Sequence, residues 1–193
     1  MKKHSKFILL ILVLALMSVL AIGCSCEEEM PVEEPGESEE AEVETPAVPD
    51  ERKISYVLYL KYADKPFLSA ERFQKTLEAD ELRTPMEVAL DELIAYEGGG
   101  LLLSPIPEGV KLKSVFASGE NIEVDFSGEF MDAVMPSEDA KVVVAAIVNT
   151  LLFNQEEAKF VSIKVDGKHV KEFNGYSFQP PLGFFEEGIF PDK

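Results

Sequence analysis

The sequence predicts an α/β (α+β) fold, a single domain in which two helices pack on one face of a mixed β-sheet. Three observations lead to this prediction. Segments rich in β-branched and aromatic residues, such as Ile54–Tyr62, are typical of strands. Helix-start signals occur at Thr84 and at Ser137. Turn sequences such as Asp166-Gly167 join further strand-like segments into hairpins.

The N-terminus has the layout of a bacterial export signal. Three lysines precede Phe7–Ile22, a run of 16 uncharged residues, and small residues follow the run. The run is shorter than the about 18 residues that argue for a spanning helix. Leu20–Cys24 resembles the bacterial lipobox, which implies that residues 1–23 are a signal peptide and that Cys24 carries lipid. An ordinary signal peptide or a membrane anchor remains the alternative.

Residues 24–51 are predicted to be an acidic, disordered linker behind the lipidated cysteine. Between Glu27 and Glu51 there are 12 acidic residues and no basic one. Such a segment has too little apolar surface to offset the entropy that ordering would cost. The net charge of −18 also argues against a nucleic-acid partner, because that partner requires basic patches.

The folded domain is predicted over residues 52–178. It opens with the strand at Ile54–Tyr62, and a second short strand is expected within Phe67–Leu77. Thr84-Pro85-Met86-Glu87 is a capping box with proline at the first helical position, so an amphipathic helix is expected to about Tyr96.

An apolar loop, residues 101–109, follows this helix and is stiffened by Pro105 and Pro107. Ile106 stands between the two prolines, and two roles are open for it. On a stiff loop, Pro105, Ile106 and Pro107 could contact a partner at little entropic cost. Alternatively, Ile106 fills the core beneath the first helix.

The second half of the domain is predicted to hold two hairpins and a helix. The strands of the first hairpin are Val110–Ala117 and Ile122–Phe126, and Phe160–Val165 pairs with Lys168–Phe173 in the second. Ser137 is expected to cap the helix between them. Its interior, Val142–Leu152, is apolar nearly all round, so it must be deeply covered.

Several of these motifs, in this order, resemble the GerMN domain of GerM-type proteins. They are Leu102–Val115 with its Pro-X-Pro-X-Gly loop, Ile122–Ser127, Val148–Leu151 and Val165–Lys168. The resemblance spans residues 54 to about 178. It implies a module for envelope assembly, linked to sporulation or spore germination and often carried on exported lipoproteins. An envelope protein would then be the partner.

Candidate catalytic residues are sparse beyond the signal segment. His169 is the only histidine there, and it is expected on an exposed strand face. Glu123 and Asp125 share one strand face and are expected to be solvated. Asn149 and Thr150 are expected to satisfy backbone or loop groups inside the buried helix. We therefore expect no enzyme activity, no cofactor and no metal; a carboxylate-based hydrolase is the least favoured function.

The expected function is that of a membrane-anchored interaction module on the extracytoplasmic face of the cell membrane. The alternative is a lipoprotein that binds a cell-wall component or a small solute. The aromatic-rich C-terminal tail, residues 179–193, is expected either to pack on the domain or to expose an adhesive patch.

Overall fold

The computed structural model describes residues 51–186, which belong to one compact unit. The signal segment, Cys24 and nearly all of the linker lie outside the described residues, as does the end of the C-terminal tail. In chain order the elements are β1 (Glu51–Tyr62), β2 (Leu68–Glu78), α1 (Pro85–Ala95), β3 (Leu102–Leu103), β4 (Leu112–Ser118), β5 (Asn121–Phe126), α2 (Glu129–Asp132), α3 (Ser137–Phe153), β6 (Phe160–Val165), β7 (Lys168–His169), β8 (Glu172–Phe173) and β9 (Tyr176–Ser177).

The predicted α+β class is confirmed, but the strands form three sheets instead of one. The first sheet has the order β2-β1-β3, the second β4-β5-β6-β7, and β8 pairs with β9. The second sheet is mixed, because β5 and β6 run parallel while its other pairs are antiparallel. Parallel neighbours need a long crossover. The chain between β5 and β6, which contains α2 and α3, supplies it.

Strand β1 is the centre of the first sheet and is buried on both faces. Ile54, Tyr56, Leu58 and Leu60 alternate along one face and join the main core. Val57 and Tyr59, on the other face, belong to a smaller apolar cluster with residues of α3. This double burial explains why only the start of β1 shows polar-apolar alternation in the sequence.

Helix α1 begins as the capping box predicts. The Thr84 hydroxyl accepts a hydrogen bond from the Glu87 N–H at 3.3 Å, and the Glu87 carboxylate accepts one from the Thr84 N–H at 2.7 Å. The helix ends at Ala95, close to the predicted end. Its buried residues Met86, Val88, Ala89, Leu90 and Leu93 join the main core.

Helix α3 is covered on nearly all sides, as its apolar interior predicts, because it contacts β1 of the first sheet and β6 of the second. It also lies along the edge of β1 that faces away from β2. Thr150 and Asn154 accept hydrogen bonds from the N–H groups of Tyr59 and Val57. The prediction that Ser137 caps this helix is wrong: Ser137 is its first residue, and Pro136 holds the cap position without a side-chain hydrogen bond.

The last predicted hairpin forms at Asp166-Gly167, where both residues have positive φ (50° and 78°) as a type I′ turn requires. Its second strand is broken into β7 and β8 instead of running through Lys168–Phe173. The described part of the C-terminal tail packs on the domain. Leu182 forms an antiparallel bridge with Val161.

Candidate functional site

The proline loop, residues 104–110, is held against the end of α1. The Ser104 hydroxyl donates to the Leu93 carbonyl at 2.6 Å and accepts from the Ile106 N–H at 3.2 Å. Pro105 is buried, Ile106 is 8% exposed and Pro107 is half-buried. Ile106 therefore packs in the core, which is one of the two roles that the sequence leaves open for it. The contact role of the three residues stays a prediction, with Pro107 the most accessible of them.

A depression of about 510 Å³ is lined by the proline loop and by the C-terminal end of α1 with the residues that follow it. Tyr96, Pro107 and Glu108 contribute to its lining. The loop then leads directly into β4, which is the terminal strand of the second sheet. The predicted contact loop and an open sheet edge are thus neighbours along the chain.

The outer face of the second sheet carries two exposed phenylalanine rings. Phe116 on β4 is 68% exposed and Phe160 on β6 is 39% exposed. The strand register places Phe116 opposite Glu123 and Phe160 opposite Asn121, so the rings lie diagonally across β5. We call this surface, formed by Phe116, Asn121, Glu123, Phe160 and Ser162, the outer-face patch.

A groove of about 490 Å³ runs over the outer-face patch. Phe116 and Pro181 are among the residues that line it. Because the inner face of the same strands is formed by Ile122, Val124 and Phe126, which are almost fully buried, only this face of the sheet is available to solvent.

The charged groups beside the patch are engaged with one another. Lys164 Nζ lies 2.6 Å from Glu123 Oε1, and Lys113 Nζ lies 2.7 Å from Asp166 Oδ1. The pKa of Lys113 is raised because its ammonium group donates a hydrogen bond to Asp166. Both Asp125 carboxylate oxygens accept from the Gly167 N–H at 3.1 Å, which ties the turn to β5. The carboxylates of Glu123, Asp125 and Asp166 are therefore each bound to another group of the domain.

The predicted placement of His169 and of the buried polar pair is confirmed. His169 is exposed on β7, with its Nε2 3.9 Å from Glu123 Oε2. Asn149 exchanges two hydrogen bonds with the backbone of Phe185, at 2.9 and 2.8 Å. Thr150 accepts from the Tyr59 N–H at 3.1 Å. Asn149 and Thr150 therefore satisfy backbone groups.

Residues 51–186 contain neither a cluster of metal-binding side chains nor a membrane-spanning helix. No group of three or more His, Cys, Asp or Glu residues in this part of the chain lies close enough together to hold a metal ion. No helix in the same range is long and apolar enough to cross a membrane.

A comparison with protein families shows to which family the domain belongs. The model of the Germane family, described as "Sporulation and spore germination", matches residues 57–171, more than half of the chain. The chain belongs to the Germane family. This match confirms the GerMN-type family that the sequence motifs indicated.

Solved structures agree with this Germane fold. The first GerMN domain of the sporulation protein GerM from Bacillus subtilis is 20% identical, with a TM-score of 0.53 over 67% of this chain and 97% of that one. The tandem GerMN domains of the same protein are 25% identical, with a TM-score of 0.50 over 73% of this chain and 49% of that one. None of the curated proteins matches the chain in sequence.

The outer-face patch of this Germane domain was not predicted from the sequence. Ser114, Phe116 and Ser118 alternate with Val115 and Ala117 along β4. This alternation shows that Phe116 shares a face with two serines, opposite the side that packs on the core. A phenylalanine on the solvent-facing side of β4 was the feature of the sequence that could have indicated this surface. Nothing in the sequence indicated that Phe160 would lie near Phe116. The two are brought together by the parallel pairing of β5 with β6, which joins segments far apart in the chain.

Proposed function

We propose that this chain is a lipoprotein, held at the extracytoplasmic face of the cell membrane by lipid on Cys24. Its Germane domain binds another envelope protein during sporulation or spore germination and catalyses no reaction. The observation that carries the binding role is the outer-face patch with its exposed rings, Phe116 and Phe160.

The anchor rests on the sequence before the described domain. An uncharged run that ends at Gly23-Cys24 is what lipoprotein export and modification require. Two acyl chains hold a protein stably on a bilayer, whereas one chain holds it only marginally. The acidic segment between Cys24 and β1 then acts as a tether. Fully extended, its 26 residues would span on the order of 90 Å.

The binding role rests on the physical cost of leaving phenyl rings in water. Burying apolar surface is favourable by about 25 cal/mol per Å². Aromatic residues are also enriched at the buried centres of protein interfaces. Phe116 contributes little to the domain's own core at 68% exposure, so its ring is available to a partner. Asn121 and Glu123 lie on β5, between the strands that carry the two rings, so a partner that contacts both rings also meets these polar side chains.

The proposal is tested in cells with a photoreactive amino acid at Phe116. We expect a crosslink to a specific envelope protein that is absent when the same group replaces Leu82, which is 86% exposed elsewhere on the domain. Phe116→Thr should reduce spore formation or germination without lowering the melting temperature, and Leu82→Thr should do neither. Equal crosslinking at both sites together with normal sporulation of Phe116→Thr would overturn the proposal.

A further inference from the structure

The two main sheets differ in how their edges are closed. The edge of β1 is closed by α3 and by Asn154, the residue that follows the helix. The Asn154 side chain accepts from the Val57 N–H at 2.9 Å and donates to the Val57 carbonyl at 2.7 Å. The start of β6 is closed by Leu182, which exchanges two backbone hydrogen bonds with Val161, at 2.8 and 2.7 Å. These edges already have their hydrogen-bonding partners.

Two longer edges are left, β2 and β4, and their side chains differ. Strand β2 carries Glu71, Arg72, Lys75 and Glu78 among its 11 residues. Charged side chains on an edge strand are a common device against pairing with another chain. Strand β4 has the sequence Leu-Lys-Ser-Val-Phe-Ala-Ser, in which Lys113 is the only charged residue. The charge of Lys113 and a β-bulge between Leu112 and Ser114 both lie at the start of β4. The β4 edge from Ser114 to Ser118 therefore lacks the protection that the β2 edge has.

The turn after β4 decides which backbone groups point outward. Gly119 and Glu120 form a two-residue turn with φ of 56° at the glycine, so the flanking pair Ser118–Asn121 is hydrogen-bonded. Hydrogen-bonded and non-hydrogen-bonded pairs alternate in an antiparallel ladder. The N–H and C=O groups of Val115 and Ala117 consequently point away from β5. Within residues 51–186, no hydrogen bond outside the strand ladders uses either residue.

We propose that the outer edge of β4 receives an extended segment of a partner protein, which pairs with Val115 and Ala117 as an additional strand. This inference rests on the proposed protein-binding function and names the surface and the form of the partner. The outward groups of Val115 and Ala117 repeat at about 6.8 Å, twice the rise of a strand residue. An extended backbone presents its own groups at the same spacing, and this complementarity selects a strand as the occupant.

The side chains of β4 specify the partner segment further. Phe116 lies on the outer face between Ser114 and Ser118, so the residue opposite it in the added strand gains contact with an exposed ring. Aromatic and β-branched residues make the most favourable cross-strand pairs with phenylalanine. A second copy of this chain suits the edge less, since each copy has a net charge of −18 and the two would repel.

The test uses the full-length chain in detergent micelles and a phage-displayed library of random nine-residue peptides. The strongest binder is synthesised, and its amides are N-methylated at alternate residues in two series offset by one position. Pairing with β4 predicts that one series abolishes binding while the other leaves it within about threefold. The amides of Val115 and Ala117 should gain protection from hydrogen exchange when the unmodified peptide binds.

A pair of proline variants gives the matched control. Ala117→Pro removes an outward N–H of β4, and Ala70→Pro removes the equivalent group from the charged edge of β2. The Tyr62 N–H donates to the Phe67 carbonyl, which makes Tyr62–Phe67 a hydrogen-bonded pair. Because such pairs alternate with non-hydrogen-bonded pairs along β1 and β2, the N–H group of Ala70 points away from β1. We expect Ala117→Pro to weaken peptide binding at least tenfold and Ala70→Pro to leave it unchanged. The N-methyl series needs no change in the protein, so it decides the matter even if Ala117→Pro fails to fold.

Three results would overturn the proposal. These are the absence of any peptide that protects Val115 and Ala117, equal loss of binding in both N-methyl series, and self-association of the chain that Ala117→Pro abolishes. The last would make a second copy the occupant. Crosslinking from Phe116 in cells does not depend on strand pairing, so the protein-binding function can survive the failure of this inference.

Discussion

Asn154 pairs with Val57 as a neighbouring strand would. Its side-chain carbonyl accepts the Val57 N–H at 2.9 Å, and its amide group donates to the Val57 carbonyl at 2.7 Å. A third hydrogen bond, from the same amide group to the Thr150 carbonyl at 2.7 Å, fixes the side chain at the end of α3. One side chain thus closes an edge of the first sheet and joins it to the helix.

Replacing Asn154 should destabilise the domain. Asn154→Leu leaves both backbone groups of Val57 without their partner, and one unsatisfied buried group costs about 1–3 kcal/mol. We expect that loss in the free energy of unfolding, measured by urea denaturation. Gln155→Leu is the control, because the neighbouring Gln155 side chain makes no hydrogen bond within residues 51–186. Equal stability of the two variants would show that edge closure contributes nothing.

A charge at Ile106 distinguishes its two possible roles. If the side chain is core, as its 8% exposure indicates, Ile106→Asp buries an unpaired carboxylate and costs several kcal/mol. The loss should appear as a lower melting temperature. Leu101→Asp, at a leucine that is 71% exposed, should leave the melting temperature within a degree or so. Wild-type stability of Ile106→Asp with loss of partner crosslinking would instead assign Ile106 to a contact surface.

Truncating the C-terminus should show which of its residues stabilise the domain. Ending the chain after Gln179 removes the Leu182 bridge and leaves the fully buried Asn149 side chain without the backbone of Phe185. We expect about 2–5 kcal/mol less stability, the combined cost of unsatisfied polar groups and lost apolar burial. Ending after Glu186 keeps all these contacts and should unfold like the full chain. The comparison is made by chemical denaturation, and equal destabilisation of both truncations would contradict it.

Lipid attachment should depend on Cys24 alone. Growth with a fatty-acid analogue is expected to label the wild-type chain and the Cys26→Ala variant equally, because Cys26 lies beyond the residue that the lipobox specifies. Cys24→Ala should carry no label and should leave the membrane fraction. Labelling of Cys24→Ala at the wild-type level would refute the anchor.

Local signals in the sequence determined most of the elements. The capping box at Thr84 specified where α1 begins, and the Asp166-Gly167 turn specified a hairpin, because both depend on residues within four positions of each other. The apolar interior of α3 likewise required burial on all sides. The family followed from the order of several such local motifs.

What only the tertiary structure decided depends on residues far apart in the chain. Asn154 and Val57 are 97 positions apart, and nothing local indicates that a helix, not a strand, closes the edge of β1. The pairing of β5 with β6 brings Phe116 and Phe160 onto one face, and the β4 edge is open because no other part of the described chain covers it. Sequence periodicity reports which side of an element is apolar. The identity of the neighbour on that side is set by packing across the whole domain.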